Sequence, residues 1–404
     1  MDIMRFPEAK SITKTATISH FLLMLGYKTF SFFFPLFLLQ QGLSIPQVGY
    51  VYLLLYLPMV LFSPLVGFFN RKINPSFFII FGIAGYALYA FAMIVSGPSP
   101  IFFAAQVLLG LAAALFFVSF RALLIGARLP QPDRSFGWFY SAPVYGEAVA
   151  PVLGSLIIWQ FGFVGVFIVS LFIHIANAVF TFFALRSAGT KLKEGVSLPE
   201  LGTRYVAIGK GLLNRTILPI IIISLSILFS AGIYRSFFVV FLKDLGWTQN
   251  SILLYGSLSS ILFIPFSLLL IRYLGKHHSF ANVRNGVFVY GVSSVVFGFF
   301  APLLHFVGVL FLMLIHDIGS IMANSGRSGL LSRTFFRYPH ETAVVDTLFS
   351  PLGTALGSLV AALLIGVIGF VGLFVGSGAF VLALGIFIFM LSKRLALQQK
   401  TLPQ

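Results

Sequence analysis

Apolar residues gather into twelve long runs, near 16–39, 47–69, 76–97, 100–125, 136–160, 163–186, 216–243, 250–273, 284–303, 305–326, 343–367 and 371–392. Each is about 20 to 28 residues, and at 1.5 Å per residue a helix of that length crosses a hydrocarbon layer about 30 Å thick with some tilt. The pattern predicts twelve transmembrane helices. Short polar turns separate most of them, and the stretch from 187 to 214 is the one long polar connection.

Charge is distributed by loop. Lys72 follows span 2, Arg128 and Arg134 follow span 4, and Lys191, Lys193, Arg204, Lys210 and Arg215 follow span 6. Arg272, Lys276 and Arg284 surround the turn after span 8. Arg333 and Arg337 follow span 10, and Lys393, Arg394 and Lys400 follow span 12. The alternate loops carry almost no Lys or Arg, with Lys243 the exception. An even number of spans with both termini in the cytoplasm satisfies this asymmetry. The polar, mildly basic start of the chain precedes an apolar run long enough to span, so the first helix reads as retained and the expected location is the plasma (inner) membrane.

Composition agrees. The chain is 59% hydrophobic and 9% charged, with a mean hydropathy of +1.02. A soluble domain of this size needs far more polar surface. The net charge of +16 would suggest nucleic acid in a soluble protein, but here it follows the loops, and no nucleic-acid partner is expected. The absence of cysteine excludes disulfides and thiolate metal sites.

The two halves repeat. Phe34, Phe37, Leu38 and Gly42 match Phe238, Phe241, Leu242 and Gly246. Arg121 matches Arg327, and Gly154-Ser155-Leu156 recurs as Gly357-Ser358-Leu359. The offsets are 203 to 206 residues, and this common offset points to a duplicated six-span unit. The expected organisation is an all-α membrane protein with an N-terminal six-helix bundle over 1–186, a cytoplasmic linker over 187–214 lying at the membrane surface, and a C-terminal six-helix bundle over 215–404.

Several local sequences resemble the major facilitator superfamily. Gly146-Glu147-Ala148-Val149-Ala150-Pro151-Val152-Leu153-Gly154 in span 5 is similar to that family's antiporter motif, Gly-x-x-x-Gly-Pro-x-x-Gly-Gly. Its small residues 146, 150 and 154 form a smooth stripe, expected to permit close packing between the halves. Gly67-Phe68-Phe69-Asn70-Arg71-Lys72 looks like the family's gating motif without its acidic residue. Gln106-Val107-Leu108-Leu109-Gly110 resembles the Arg-x-x-x-Gly segment with Gln in place of Arg, and Pro132–Gly137 looks like the connection between spans 4 and 5. The resemblance implies a central cavity lined by spans 1, 4, 7 and 10, an interface between halves made by spans 2, 5, 8 and 11, and spans 3, 6, 9 and 12 against lipid.

Ionisable residues inside the spans carry the chemistry, because each costs about 2.5–3.5 kcal/mol at the bilayer centre unless it meets water or a partner. Lys28 in span 1 and Arg235 in span 7 are expected on opposite walls of one cavity, attracting an anionic solute. Tyr27, Tyr234, Gln106 and Asn324 are further candidate substrate contacts. Glu147 in span 5 and Asp317 in span 10 are candidate proton carriers, because burial favours a reversible carboxyl. Arg121, Arg327, Gly67, Arg71, Gly146, Pro151 and Gly154 are candidate gating positions. His316 alone reads as a packed bundle histidine.

The chain has no nucleotide-binding, zincin or nucleophile-elbow motif, so neither ATP-driven pumping nor hydrolase chemistry has support, and no cofactor or metal is expected. The reading is a monomeric secondary active transporter of a small anionic or zwitterionic solute, working by alternating access and coupled to protons. The rivals are proton-driven multidrug efflux and, from another class, a non-transporting receptor or membrane enzyme.

Overall fold

The computed structural model of the chain describes residues 9–70, 72–95, 97, 100–126, 132–186, 198–214, 217–274, 279–335 and 339–401. Those residues form twelve α-helices, one short 3-10 turn and no strand. In chain order the helices are α1 (Ala9–Ser31), α2 (Phe34–Gln40), α3 (Ile45–Phe69), α4 (Pro75–Val95), α5 (Pro100–Gly126), α6 (Pro132–Arg186), α7 (Leu198–Leu212), α8 (Leu218–Asp244), α9 (Gln249–Leu274), α10 (Ser279–Phe300), α11 (Phe306–Thr334) and α12 (Pro339–Thr401).

This set differs from the twelve predicted spans, yet the number of crossings is the same. Span 1 is broken into α1 and α2, which meet at 45°. Pro35 explains the break: its ring clashes with the carbonyl four residues back, at Ser31, where α1 stops. Spans 5 and 6 are the two arms of α6, joined at Gly162 with φ 68° and ψ −170°. Spans 11 and 12 are the two arms of α12, joined at Gly369 with φ 65° and ψ −176°. A side chain is strained at these dihedrals, and glycine is not.

The arms fold back on each other. Along the first arm of α6, Phe139, Gly146 and Gly154 meet His20, Met24 and Thr29 of α1 in ascending order. Along the second arm the order reverses, with Ser19, Gly26, Phe30 and Phe37 meeting Asn177, His174, Phe167 and Phe163. In α12 the second arm likewise descends along α10, where Gly291, Ser294 and Gly298 meet Leu382, Gly378 and Val375. The result is two bundles of six crossings each. Among the described residues, the four glycines with positive φ, Gly42 with Gly246 and Gly162 with Gly369, stand at matching places in the two halves.

Between the bundles, α3 packs on the first arm of α12, and the first arm of α6 packs on α9. These are spans 2 and 11, and spans 5 and 8. The contact is closest toward the end opposite the basic loops. There Gly49 meets the Ser358 carbonyl and Ala362, and Gly256 meets Phe32 and Phe33. Ser155 Oγ and Ser257 Oγ lie 2.8 Å apart, and Gln40 bonds Gln249 at 3.2 Å.

The small-residue stripe of span 5 faces elsewhere than expected. Gly146 and Gly154 abut α1 of their own bundle at Met24, Leu25 and Thr29. The matching stripe of the second half does the same, with Gly353, the counterpart of Ala150, against Leu228 and Gly357 against Phe229 and Gly232 of α8. The stripe fixes helices within a bundle, and the next residue in each half meets the other bundle, through the Ser155 hydroxyl in one and the Ser358 carbonyl in the other.

The serine pair yields a direct test of rocking. Hydroxyls 2.8 Å apart place the two β-carbons within reach of a disulfide. In the cysteine-free chain, the Ser155→Cys/Ser257→Cys double variant should cross-link under mild oxidant and lose essentially all transport, recovering on reduction. Full transport with the cross-link intact would show that this contact need not part.

The linker is partly helical. α7 docks Ile208 and Leu212 against Leu331 and Phe335, and Tyr205 lies beside Val66, Val118 and Val344 from both bundles. Arg204 bonds Glu200 at 2.8 Å and reaches the buried Glu341 at 3.5 Å. The linker helix thus rests on helix ends of both bundles.

Candidate functional site

α8 is enclosed by its neighbours. Every residue from Gly232 to Leu242 is buried except Arg235, which is exposed. A single accessible guanidinium on an otherwise packed central helix needs an internal aqueous space, because hydrocarbon does not solvate it. Arg235 Nη1 donates to Tyr56 Oη of α3 at 3.0 Å, and the guanidinium lies over the Tyr56 ring at 5.7 Å. One bundle supplies the cation and the other its hydroxyl partner.

Tyr56 belongs to a tyrosine group in the first bundle. Its ring stacks on Tyr52 at 6.3 Å. Tyr27 of α1 meets Tyr86 edge-on at 5.8 Å, and Phe30 and Phe34 join these rings to Tyr89 and Tyr52. The Tyr27 and Tyr56 hydroxyls are close enough to interact electrostatically. Lys28, half-buried, follows Tyr27 on the same helix, one turn before the Pro35 break. Phenol hydroxyls beside the Arg235 guanidinium form a surface suited to carboxylate or phosphonate oxygens. No local pattern in the sequence prefers Tyr56 over the other tyrosines; its bond to Arg235 spans 179 residues.

In the second bundle, Asp317 is exposed, at 56%, and its carboxylate lies 3.2 Å from His316 Nδ1. It acts electrostatically on the Tyr234, Tyr255 and Tyr290 hydroxyls, which places it beside α8, α9 and α10. Tyr234 is buried among His316, Phe297 and Phe374.

Two candidate substrate contacts are engaged elsewhere. Gln106 is fully buried, receives the Tyr89 hydroxyl at 3.2 Å and donates to the Phe102 carbonyl at 3.3 Å. Its amide ties α4 to α5 inside the first bundle, so the expected exposure to substrate is corrected. Asn324 donates to the Ser320 carbonyl at 2.9 Å and accepts from Arg327 Nη1 at 3.0 Å. It supports the arginine at the basic end.

Among the gating candidates, Arg327 is buried, with Nε 3.3 Å from Asp346 and its guanidinium over the Phe349 ring. Its repeat partner Arg121 is half-buried, and Pro151 is buried. Gly67 faces Val344, Val118 and Tyr205, at the junction of both bundles with the linker helix. Arg71 and the Glu147 side chain lie outside the described residues. Among the described residues, no cluster of three or more His, Cys, Asp or Glu could hold a metal ion.

Comparison with known proteins agrees with this architecture. None of the curated proteins compared matches the sequence. Among solved structures, a POT peptide transporter in complex with alafosfalin aligns with a TM-score of 0.75 at 14% identity, covering 95% of this chain and 94% of that chain. A POT family transporter in complex with 5-aminolevulinic acid aligns with a TM-score of 0.75 at 12% identity, covering 96% of each. The nucleoside transporter NupG aligns with a TM-score of 0.71 at 16% identity, covering 95% of this chain and 99% of that chain. At these identities the likeness is one of fold. The profile of the Major Facilitator Superfamily matches residues 16–345, and the chain belongs to that family, as an integral membrane protein of the secondary transporter class.

Proposed function

We propose that this transporter moves a small anionic or zwitterionic solute by alternating access, with Arg235 and Lys28 as its anchors. The observation that carries the reading is the exposed Arg235 on the enclosed helix α8, bonded across the bundle interface to Tyr56. A substrate anion can replace the Tyr56 hydroxyl on Arg235 and bring the two bundles' polar walls onto one ligand, which couples occupancy to the relative position of the bundles. Among the structural relatives, one holds 5-aminolevulinic acid and another sulfate. Each bears negative charge, and that chemistry fits a site lined by cations.

Protons are the proposed coupling ion, with Asp317 and Glu147 as the acidic groups that serve the coupling, and the basic loops favour cytoplasmic termini in a plasma membrane. The test is uptake by proteoliposomes across a panel of anionic, zwitterionic and lipophilic cationic solutes, with and without a pH gradient. A charge-assisted hydrogen bond contributes about 1.5–3 kcal/mol, so Arg235→Ala and Lys28→Ala should each raise KM for the accepted anion about 10- to 150-fold. Asp317→Asn should blunt the response to the gradient. Preference for lipophilic cations, unaffected by either cation substitution, would refute the anion reading.

A further inference from the structure

His316 has a setting that packing alone does not account for. The side chain is 5% exposed, yet it adjoins that of Asp317, which is 56% exposed. The imidazole fills the corner between two phenol rings, with centroids 4.3 Å from Tyr234 and 4.1 Å from Tyr290, the two phenols being 6.4 Å apart. Nδ1 lies 3.2 Å from Asp317 Oδ1. Nε2 is buried and has no hydrogen-bond partner among the described residues. Ser294 neighbours the Tyr234 hydroxyl, and Ser230 that of Tyr290, so hydroxyl groups from α8 and α10 flank the two phenols that hold the imidazole.

The charged and titratable groups around the imidazole are few. α8 brings Tyr234, with Arg235 next to it and turned toward Tyr56. α9 brings Tyr255 near Asp317, and α10 brings Tyr290. α12 brings Phe374, against Tyr234, without a titratable atom. The nearest negative charge is Asp317 itself, so an imidazolium here would have a bonded counter-charge, whereas a proton on Asp317 alone would leave the imidazole idle.

We propose that the coupling proton is held by the His316–Asp317 pair, on the imidazole rather than on the carboxyl. The proposal rests on the proton-coupled reading above and names its seat. Without the extra proton, Nδ1–H donates to the carboxylate and Nε2 keeps its lone pair, giving the pair a charge of −1. One proton from cavity water adds to Nε2, Nδ1–H stays bonded to Asp317, and the pair becomes an imidazolium and a carboxylate of net charge 0. Release returns the proton to water. The carboxylate stays ionised throughout. The pair therefore changes its net charge without breaking its hydrogen bond.

Infrared difference spectroscopy on the purified full chain in lipid, on acidification, tests this without a known substrate. The expected result is imidazolium bands in the wild type, lost in His316→Gln and in His316→Asn, with a carboxylic acid band appearing in those variants as the proton moves to Asp317. Asn retains a donor near the Nδ1 position and guards against misfolding, as does an unchanged elution volume. Should the wild type instead show a carboxylic acid band that Asp317→Asn removes and His316→Gln leaves in place, the proposal is overturned and the carboxyl alone carries the proton. Spectra unchanged by all three substitutions would overturn both the pair and the proton role of Asp317.

Discussion

Replacing Gly154 by leucine is expected to abolish the folded transporter. A β-carbon built on Gly154 runs into the Thr29 carbonyl of α1. That obstacle is main chain and cannot rotate away, unlike the end of a side chain. Overpacking costs about 1–3 kcal/mol where neighbouring side chains can shift, and here the whole of α1 must move off the first arm of α6, so the cost should lie at or beyond the top of that range. Gly357→Leu should behave alike, because its added β-carbon meets the Phe229 carbonyl in the second bundle. Gly366 has nothing within 4 Å of an added β-carbon, so Gly366→Leu is the control. Thermal unfolding in detergent, followed by loss of the monodisperse elution peak, measures all three. Equal melting of Gly154→Leu and the wild type would contradict the close approach of α1 and α6.

Removing the Asp346 carboxylate should produce the next largest loss. Arg327 and Asp346 have side chains 6% and 30% exposed, so the pair is largely withdrawn from water. Asp346→Ala leaves the guanidinium with the Asn324 amide and the Phe349 ring, neither of which carries an opposing charge. Breaking one side of a buried pair costs about 3–5 kcal/mol, while replacing both sides by apolar residues is often neutral. The Arg327→Met/Asp346→Leu double variant should therefore melt close to the wild type while Asp346→Ala melts far below it. Because the pair ties α11 to α12 at the basic end, transport by a stable double variant also reports whether the pair gates. A double variant as unstable as the single one would mean the carboxylate has a role other than neutralising Arg327.

The crossings were readable because a helix in lipid must satisfy its backbone internally and clothe itself in apolar side chains for its whole length. That rule leaves the long runs, the silent loops and the two halves in plain view. It says little about which helix faces which. The stripe of Gly146, Ala150 and Gly154 was visible as a smooth surface, but its partner, α1 of the same bundle, was not, since a stripe specifies closeness and not identity. The break between α1 and α2 was marked by Pro35, whose steric effect reaches Ser31, yet the unbroken apolar run concealed it. Gly162 and Gly369 sit where two spans were expected to meet, and their positive φ explains how the chain reverses there without a polar loop.

The candidate site is legible in the sequence by its charges and obscure in its neutral residues. Lys28, Arg235 and Asp317 stood out because ionised groups are rare in apolar runs. Tyr56 did not, being one of 14 tyrosines and 49 phenylalanines of similar polarity, and its role depends on a pairing between bundles that no local pattern encodes. Gln106 looked the same in sequence whether it faced a cavity or Tyr89. His316 is hard to read from sequence for a related reason: a histidine satisfied by packing and one poised beside a carboxylate differ only in their neighbours.

The absence of cysteine makes one measurement decisive for the passage between the bundles. Lys28→Cys and Arg235→Cys, each the sole thiol, can be challenged with a membrane-impermeant thiol reagent in oriented vesicles. Both positions should react through water, with the reaction slowed by excess of an accepted anionic solute. Failure of both thiols to react from either side, in a protein that still folds, would mean that these cations do not line a common aqueous route.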